Sequence, residues 1–161
     1  MTPNDVNRAQ LAITAARLAD EGAALEQMKA IAYCLRNQVR AGWHDGEWLR
    51  VLEHAEDGDG NLPGPRVYLD PANRALQRLI SDIDDIYYGG NRQIGKPAGE
   101  LRAPSAQRFA TEAGDLEEAL GKCCYWCVIN KPYKPWFVEN ILDRPDEHIA
   151  RPQMGLMMFF E

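Results

Sequence analysis

Residues 2–42, TPNDVNRAQLAITAARLADEGAALEQMKAIAYCLRNQVRAG, read as two helices joined by a glycine-containing turn. Thr2 is a natural N-cap, Pro3 suits the first helical position, and Asp5 favours the positive end of the helix dipole. Val6, Ala9, Ile13 and Ala16 recur at helical spacing, widened by Ala12 and Ala15, with Arg8 and Arg17 left for solvent. The pattern runs to about Asp20, and Gly22 breaks it. In the second helix, about Ala24 to Ala41, Leu25, Met28, Ala32, Leu35 and Val39 follow one another at helical spacing. Ala30, Ile31 and Cys34 widen that apolar surface, while Arg36, Asn37 and Arg40 lie outside the stripe. A surface so broad places the second helix near the centre of the domain. Gly42 stands where a helix-terminating glycine is preferred.

Working outward, Gly46 to Ala55 reads as a short helix turning Trp48, Val51, Leu52 and Ala55 inward. Residues 56–66 hold glycines, prolines and acids and read as a loop. Asp70-Pro71 restarts a helix by the same cap-then-proline logic, carrying Leu76, Leu79, Ile80, Ile83, Ile86 and Tyr87 to the stop at Gly89-Gly90. Residues 91–111 show weak periodicity and read as a long loop, of a length more often functional or mobile than incidental. Asp115 caps a short helix, Leu116 to Leu120, closed by Gly121. Two β-like runs, Cys123 to Ile129 and Gly155 to Phe160, are expected to pair antiparallel, with a short helix from Pro135 to about Leu142 between them. The predicted fold is mainly α, in the α+β sense: one domain over 1–161, with a short antiparallel two-stranded element near the C-terminus.

Composition narrows the function. Among 161 residues, 18 Lys and Arg face 24 Asp and Glu, a net charge of −6. That balance argues against nucleic-acid binding, which needs phosphate neutralisation, and gives no pull toward anionic lipid. No stretch approaches the apolar length of a membrane span. The first residues lack the basic and apolar regions of a signal peptide, so the expected compartment at synthesis is the cytoplasm. Four cysteines, Cys34, Cys123, Cys124 and Cys127, fit a reducing environment.

Most motif chemistry fails on inspection. Cys124 and Cys127 form a C-x-x-C, but no second pair exists, and His148 lies alone. A zinc site would have to recruit distant Cys34, His44 or His54. Buried structural thiols are the plainer expectation. Asp57, Asp59 and Asn61 match the first ligand positions of a calcium loop, yet Leu62 replaces the obligatory Gly and Tyr68 the bidentate Glu. The only serines, Ser81 and Ser105, sit in no nucleophile elbow. No glycine-rich phosphate loop follows a strand. The expectation is no metal and no cofactor.

The turn between the first two helices carries the remaining signal. A carboxyl at Glu21, flanked by apolar helix ends and open to a groove, would have its pKa raised toward neutrality, as a general acid for glycosidic bonds requires. A solvated helix-end glutamate is the alternative. The run Glu21-Gly22, Glu26, Ala30-Ile31-Ala32 and Asn37-Gln38-Val39 resembles the spore-cortex-lytic and cell-wall hydrolase family. Its members open with a helix, a Gly-Glu-Ala turn, then Glu-Gly-Gln and an apolar helix ending in Asn-Arg-Val. Ala119-Leu120, Tyr125-Trp126, Trp136, His148 and the closing run 155–160 echo the order of that family's C-terminal third. Here the turn is about two residues shorter, and an ungapped alignment sets Ala19 at the glutamate position.

The resemblance implies a lysozyme-like helical core that cleaves peptidoglycan glycan strands, by hydrolysis or lytic transglycosylation. It implies a single glutamate as acid and base, a role that falls on Glu21. Its partner would be the glycan strand, reached only by a separate release route, as in phage or prophage lysis. Aromatic rings would then line a sugar groove. The candidates are Trp43, Tyr88, Tyr133 and Trp136, with His148 as a polar neighbour; Trp48 and Tyr87 are expected in the core, and Trp43, just past Gly42, on the surface. Two rivals stand beside this reading: a catalytically inactive glycan-binding or structural relative, and an unrelated cytoplasmic helical protein.

Overall fold

Thr2 caps the first helix, α1 (Pro3–Leu18), reciprocally: its hydroxyl accepts from the Asp5 N–H at 3.3 Å, and the Asp5 carboxylate accepts from the Thr2 N–H at 2.9 Å. These bonds to Thr2, backbone first and hydroxyl second, hold the Asp5 carboxyl below the usual range, with Arg8 adding to the effect. The computed structural model describes residues 2–19, 25–55, 60–61, 74–87, 116, 119–129, 131–151, 153 and 156–161. It is mainly helical, with a small antiparallel two-stranded sheet near the C-terminus.

Helix α2 (Leu25–Arg40) packs against α1, α3 (Trp48–His54) and α4 (Arg74–Tyr87). The buried face of α1 differs from the one its periodicity suggested. Leu11, Ala12, Thr14, Ala15 and Ala16 are buried, whereas Ala9 is exposed and Val6 and Ile13 only half-buried. The alanines let α2 and α4 approach closely, and that packing outweighs the larger side chains of the alternative face. Arg8 is not left to solvent alone: it pairs with Asp5 and with Asp84 of α4 at 3.1 Å. In α4, Ile80, one of the apolar residues at helical spacing, is exposed. Asp82 is buried instead, pairing with Lys29 of α2 at 3.0 Å and with Arg78 at 3.0 Å. The anticipated start of α4 at Asp70-Pro71 and the loop over 91–111 lie outside the described residues.

Every residue of α2 from Met28 to Gln38 is buried. Arg36 and Asn37, which lie outside the apolar stripe, are buried as well, and the reason lies in what they meet. The Asn37 side-chain amide donates to the carbonyls of Cys123 at 2.9 Å and Gly121 at 3.2 Å. Gln38 donates to the Cys124 carbonyl at 2.8 Å. Arg36 lies over the Tyr33 ring, 4.0 Å from its centroid, and donates to Asn37 Oδ1 at 3.2 Å. The polar flank of the helix is therefore a docking edge for the segment that enters the sheet.

That sheet pairs β1 (Tyr125–Val128) with β2 (Met157–Phe160), Tyr125 opposite Phe160 and Val128 opposite Met157. Both faces are covered. Trp126, Val128, Met157 and Phe159 join the core built by the helices. Cys127 and Phe160 face a second, smaller core with Phe137 and Ile141, against which Tyr125 and Met158 also pack. Phe137 ends a helical turn, Pro135–Phe137, that widens into a π-type turn at Val138–Leu142.

Asn61 seals the outer edge of β1. Its Oδ1 accepts from the Val128 N–H at 2.7 Å and its Nδ2 donates to the Val128 carbonyl at 3.1 Å. The side chain thus stands in for a neighbouring strand. At Gly60 an added methyl would run into the Trp126 carbonyl and lie 2.8 Å from Cys127 Cβ. Asn61→Ala leaves the Val128 donor and acceptor without these partners, and should lower the unfolding free energy by about 2 kcal/mol in chemical denaturation. Gly60→Ala, which pushes backbone against backbone, should cost at least as much; an unchanged midpoint in either variant would refute this account of the edge.

Candidate functional site

Three stretches of the C-terminal third and the turn after α2 meet at one ring. Tyr125, the first residue of β1, is half-buried on the smaller core. Its centroid lies 5.2 Å from Trp43, 6.3 Å from Trp136 and 5.2 Å from His148. The interplanar angles are 54°, 41° and 83°, so the rings are tilted or edge-on, as electrostatics between π systems favours. Trp136 is 54% exposed, an unusual state for so large an apolar side chain.

Each ring reaches its place by a different local device. Tyr125 follows from strand alternation, which puts it on the same side as Cys127 and opposite to Trp126. Trp136 is carried by the helical turn after Lys134, where Pro135 occupies the first helical position and Asn140 donates to the Trp136 carbonyl at 2.8 Å. His148 is held through Nδ1 by the main-chain oxygen of Glu161 at 2.7 Å. Nearby, Arg151 pairs with the Glu161 carboxylate. Trp43 is held by a turn in which Gly42, His44, Asp45 and Gly46 all have positive φ, at 86°, 50°, 63° and 72°. His44 and Asp45 have side chains, and the left-handed region costs such residues roughly 1–2 kcal/mol each. The His44 and His54 rings meet edge-on at 4.2 Å and Asp45 pairs with Arg50 at 2.7 Å, contacts that help hold the turn.

The positions singled out in the sequence divide three ways. Trp43, Trp136 and His148 are gathered around Tyr125. Tyr133 is not in this group: its ring packs on Phe137, centroids 6.3 Å apart, and its hydroxyl donates to the Ile129 carbonyl at 3.1 Å. Glu21 and Tyr88 lie outside the described residues. The expected surface position of Trp43 is corrected to half-buried, because Tyr125 covers part of it. Trp48 and Tyr87 stack on one another at 4.5 Å and pack against the main core, half-buried. Sequence reading missed Tyr125 as the hub; its only local signal is its place in an alternating strand beside buried Trp126.

The segments flanking Glu21 are defined at their ends. Ala19 is the C-cap of α1 and is 5% exposed, and Leu25 opens α2. The aromatic group lies beyond the other end of α2. The rise of a 16-residue helix separates those ends by about 22 Å.

All four cysteines are buried, and none is in a disulfide. Burial pushes the Cys123 thiol up to about 12, with the Glu161 carboxylate adding and Arg151 opposing. Burial raises Cys127 as well, against the lowering effect of the Tyr133 hydroxyl. Among the described residues no three His, Cys, Asp or Glu side chains gather as a metal site. Thiol pKa values raised on folding stabilise the fold below the ordinary thiol value, and that contribution is lost as pH rises above it toward the folded value. Thermal stability should therefore fall between about pH 9 and pH 12, and Cys123→Ala should flatten the decline. A wild-type melting temperature flat across that window would contradict this.

No family model, characterised protein or solved structure matches the chain.

Proposed function

We propose that this protein engages the glycan strand of peptidoglycan through the ring cluster Trp43, Tyr125, Trp136 and His148, and cleaves it with Glu21 as the single general acid and base. The observation that carries the proposal is the convergence of three aromatic rings and an imidazole at a partly open surface. Aromatic faces match the apolar C–H faces of pyranose rings, and the polar atoms of Trp, Tyr and His suit the hydroxyls at the ring edges. The acidic net charge fits a hydroxyl-rich ligand better than a polyphosphate. The catalytic part rests on the resemblance around Glu21, as hydrolysis or lytic transglycosylation.

The length of α2 bears on how the two parts would cooperate. The rise of α2 sets its first residue about 22 Å from its last, a span that suits a polymer strand rather than a single sugar. The same separation, with the shortened turn, favours a second reading: a glycan-binding relative that holds the strand without cutting it. The two readings share the platform and differ at Glu21.

Turbidity loss and release of soluble fragments from purified peptidoglycan test the enzyme reading, with Glu21→Gln removing the titratable proton while keeping the shape. Wild type should release fragments and the folded variant should lose at least a hundredfold in rate, the usual worth of a general acid or base being ~100-fold or more. Binding without release would support the second reading, and neither binding nor release by folded protein would reject both. Trp136→Ala should weaken sedimentation with peptidoglycan by about tenfold, since an exposed stacking ring is worth ~1–2 kcal/mol. It should leave the melting temperature nearly unchanged, because the side chain is already more than half exposed.

A further inference from the structure

The imidazole of His148 differs from its aromatic neighbours in having one nitrogen committed and one open. Nδ1 lies 2.7 Å from the main-chain oxygen of Glu161. That oxygen has lone pairs and no proton, so Nδ1 must be the donor and carry the hydrogen. In the neutral ring Nε2 is then the unprotonated nitrogen, with its lone pair in the ring plane. No hydrogen bond from Nε2 occurs to the described residues, and Nε2 is not among the buried polar atoms lacking a partner. It is therefore not fully sealed from solvent in a residue that is itself half-buried.

The surroundings hold the ring in that orientation. His148 sits edge-on to Tyr125 at 83°, half-buried, and a flip of the ring would break the bond from Nδ1 to the Glu161 oxygen. The segment on which it sits is fixed to β2: the Arg151 N–H donates to the Phe159 carbonyl at 2.9 Å, and the Glu161 N–H to the Ile149 carbonyl at 3.0 Å. Arg151 also grips the Glu161 carboxylate, and Gly121, with φ +53°, leaves room for that pair where a methyl would meet the Arg151 guanidinium. The oxygen that orients His148 is thus itself held from both sides.

We infer that His148 Nε2 is a tautomer-fixed hydrogen-bond acceptor at the edge of the Tyr125-centred platform, and that it selects ligands presenting a hydroxyl or amide N–H donor beside a ring-stacked face. The inference rests on the glycan reading of that platform and adds the atom that would discriminate among ligands. Stacking faces bind any flat apolar ring, whereas a fixed acceptor penalises a ligand that offers it another acceptor or no polar group, because its lone pair is then left without a partner. In a glycan strand the donors are the ring hydroxyls and the acetamido N–H. Nε2 accepts a hydrogen bond here and no proton is transferred.

Two substitutions separate this role from a structural one. His148→Asn keeps a donor at the δ position for the Glu161 oxygen and lacks an acceptor at the ε position. His148→Gln carries an oxygen at the ε position and lacks the δ donor. Binding of soluble glycan strands, prepared from peptidoglycan with the peptides removed, would be measured by calorimetry for wild type and both variants. Nitrogen-15 NMR of the wild-type imidazole would report the tautomer directly. The expected result is the Nδ1–H tautomer, affinity three- to tenfold weaker in His148→Asn, the worth of one neutral hydrogen bond, and affinity near wild type in His148→Gln. A purely structural histidine predicts the reverse order of the two variants. An Nε2–H tautomer, or equal affinities for wild type and His148→Asn, would overturn the inference and leave the platform standing. No binding by folded wild type would reject the glycan reading and this inference with it.

Discussion

Three hydrogen bonds from two adjacent amide side chains join the halves of this molecule. Asn37 and Gln38 leave the most buried helix and cap the carbonyls of Gly121, Cys123 and Cys124, the residues that lead into the sheet. Carbonyls of that kind, buried without partners, would each cost about 1–3 kcal/mol, so the amides fix where the chain enters β1 as well as holding it. Everything downstream inherits that position. The register of β1 with β2, the smaller core beneath it and the placing of Tyr125 all follow from where Cys124 is tied to α2. The Asn37-Gln38 pair, one of the features behind the cell-wall hydrolase resemblance, thus has a structural duty that stands apart from any catalytic one.

A sheet of two strands is marginal alone, and here it persists because both faces are used. One face completes the helical core and the other closes on the Pro135 turn. Its outer edge at Val128 is satisfied by Asn61, a side chain in place of a strand. This arrangement leaves Tyr125 at a corner, where the smaller core ends and chain from three other regions arrives. The left-handed residues His44 and Asp45 belong to the same logic. The turn after α2 must reverse sharply to set Trp43 against Tyr125, and the tertiary contacts around it offset the backbone cost.

The functional proposal divides along the same line. The ring platform depends on geometry in the described chain, and the catalytic role of Glu21 depends on resemblance in the connection between α1 and α2. His148 adds direction to a surface otherwise built of faces, since an acceptor held in one orientation reads the chemistry at the ligand's edge.

Helix placement was legible in the sequence because it depends on local causes. The Thr2 cap, the stop at Gly42, the central burial of α2 and the two antiparallel runs near the C-terminus all follow from periodicity, capping and glycine. Three of the five named binding positions, Trp43, Trp136 and His148, were legible as candidates by residue type. What they shared was not, because the hub Tyr125 is one aromatic residue among several until β1 and β2 pair. The buried face of α1 was misjudged toward Val6 and Ile13, since side-chain size was visible and the close approach of α2 and α4 was not. Burial of Arg36 and Asn37 was likewise hidden, because their partners lie more than eighty residues away in the case of Asn37. Sequence by itself determined the elements, which rest on contacts within a few residues. Tertiary structure alone decided which polar groups are buried and which rings converge, because those depend on partners that only folding brings into reach.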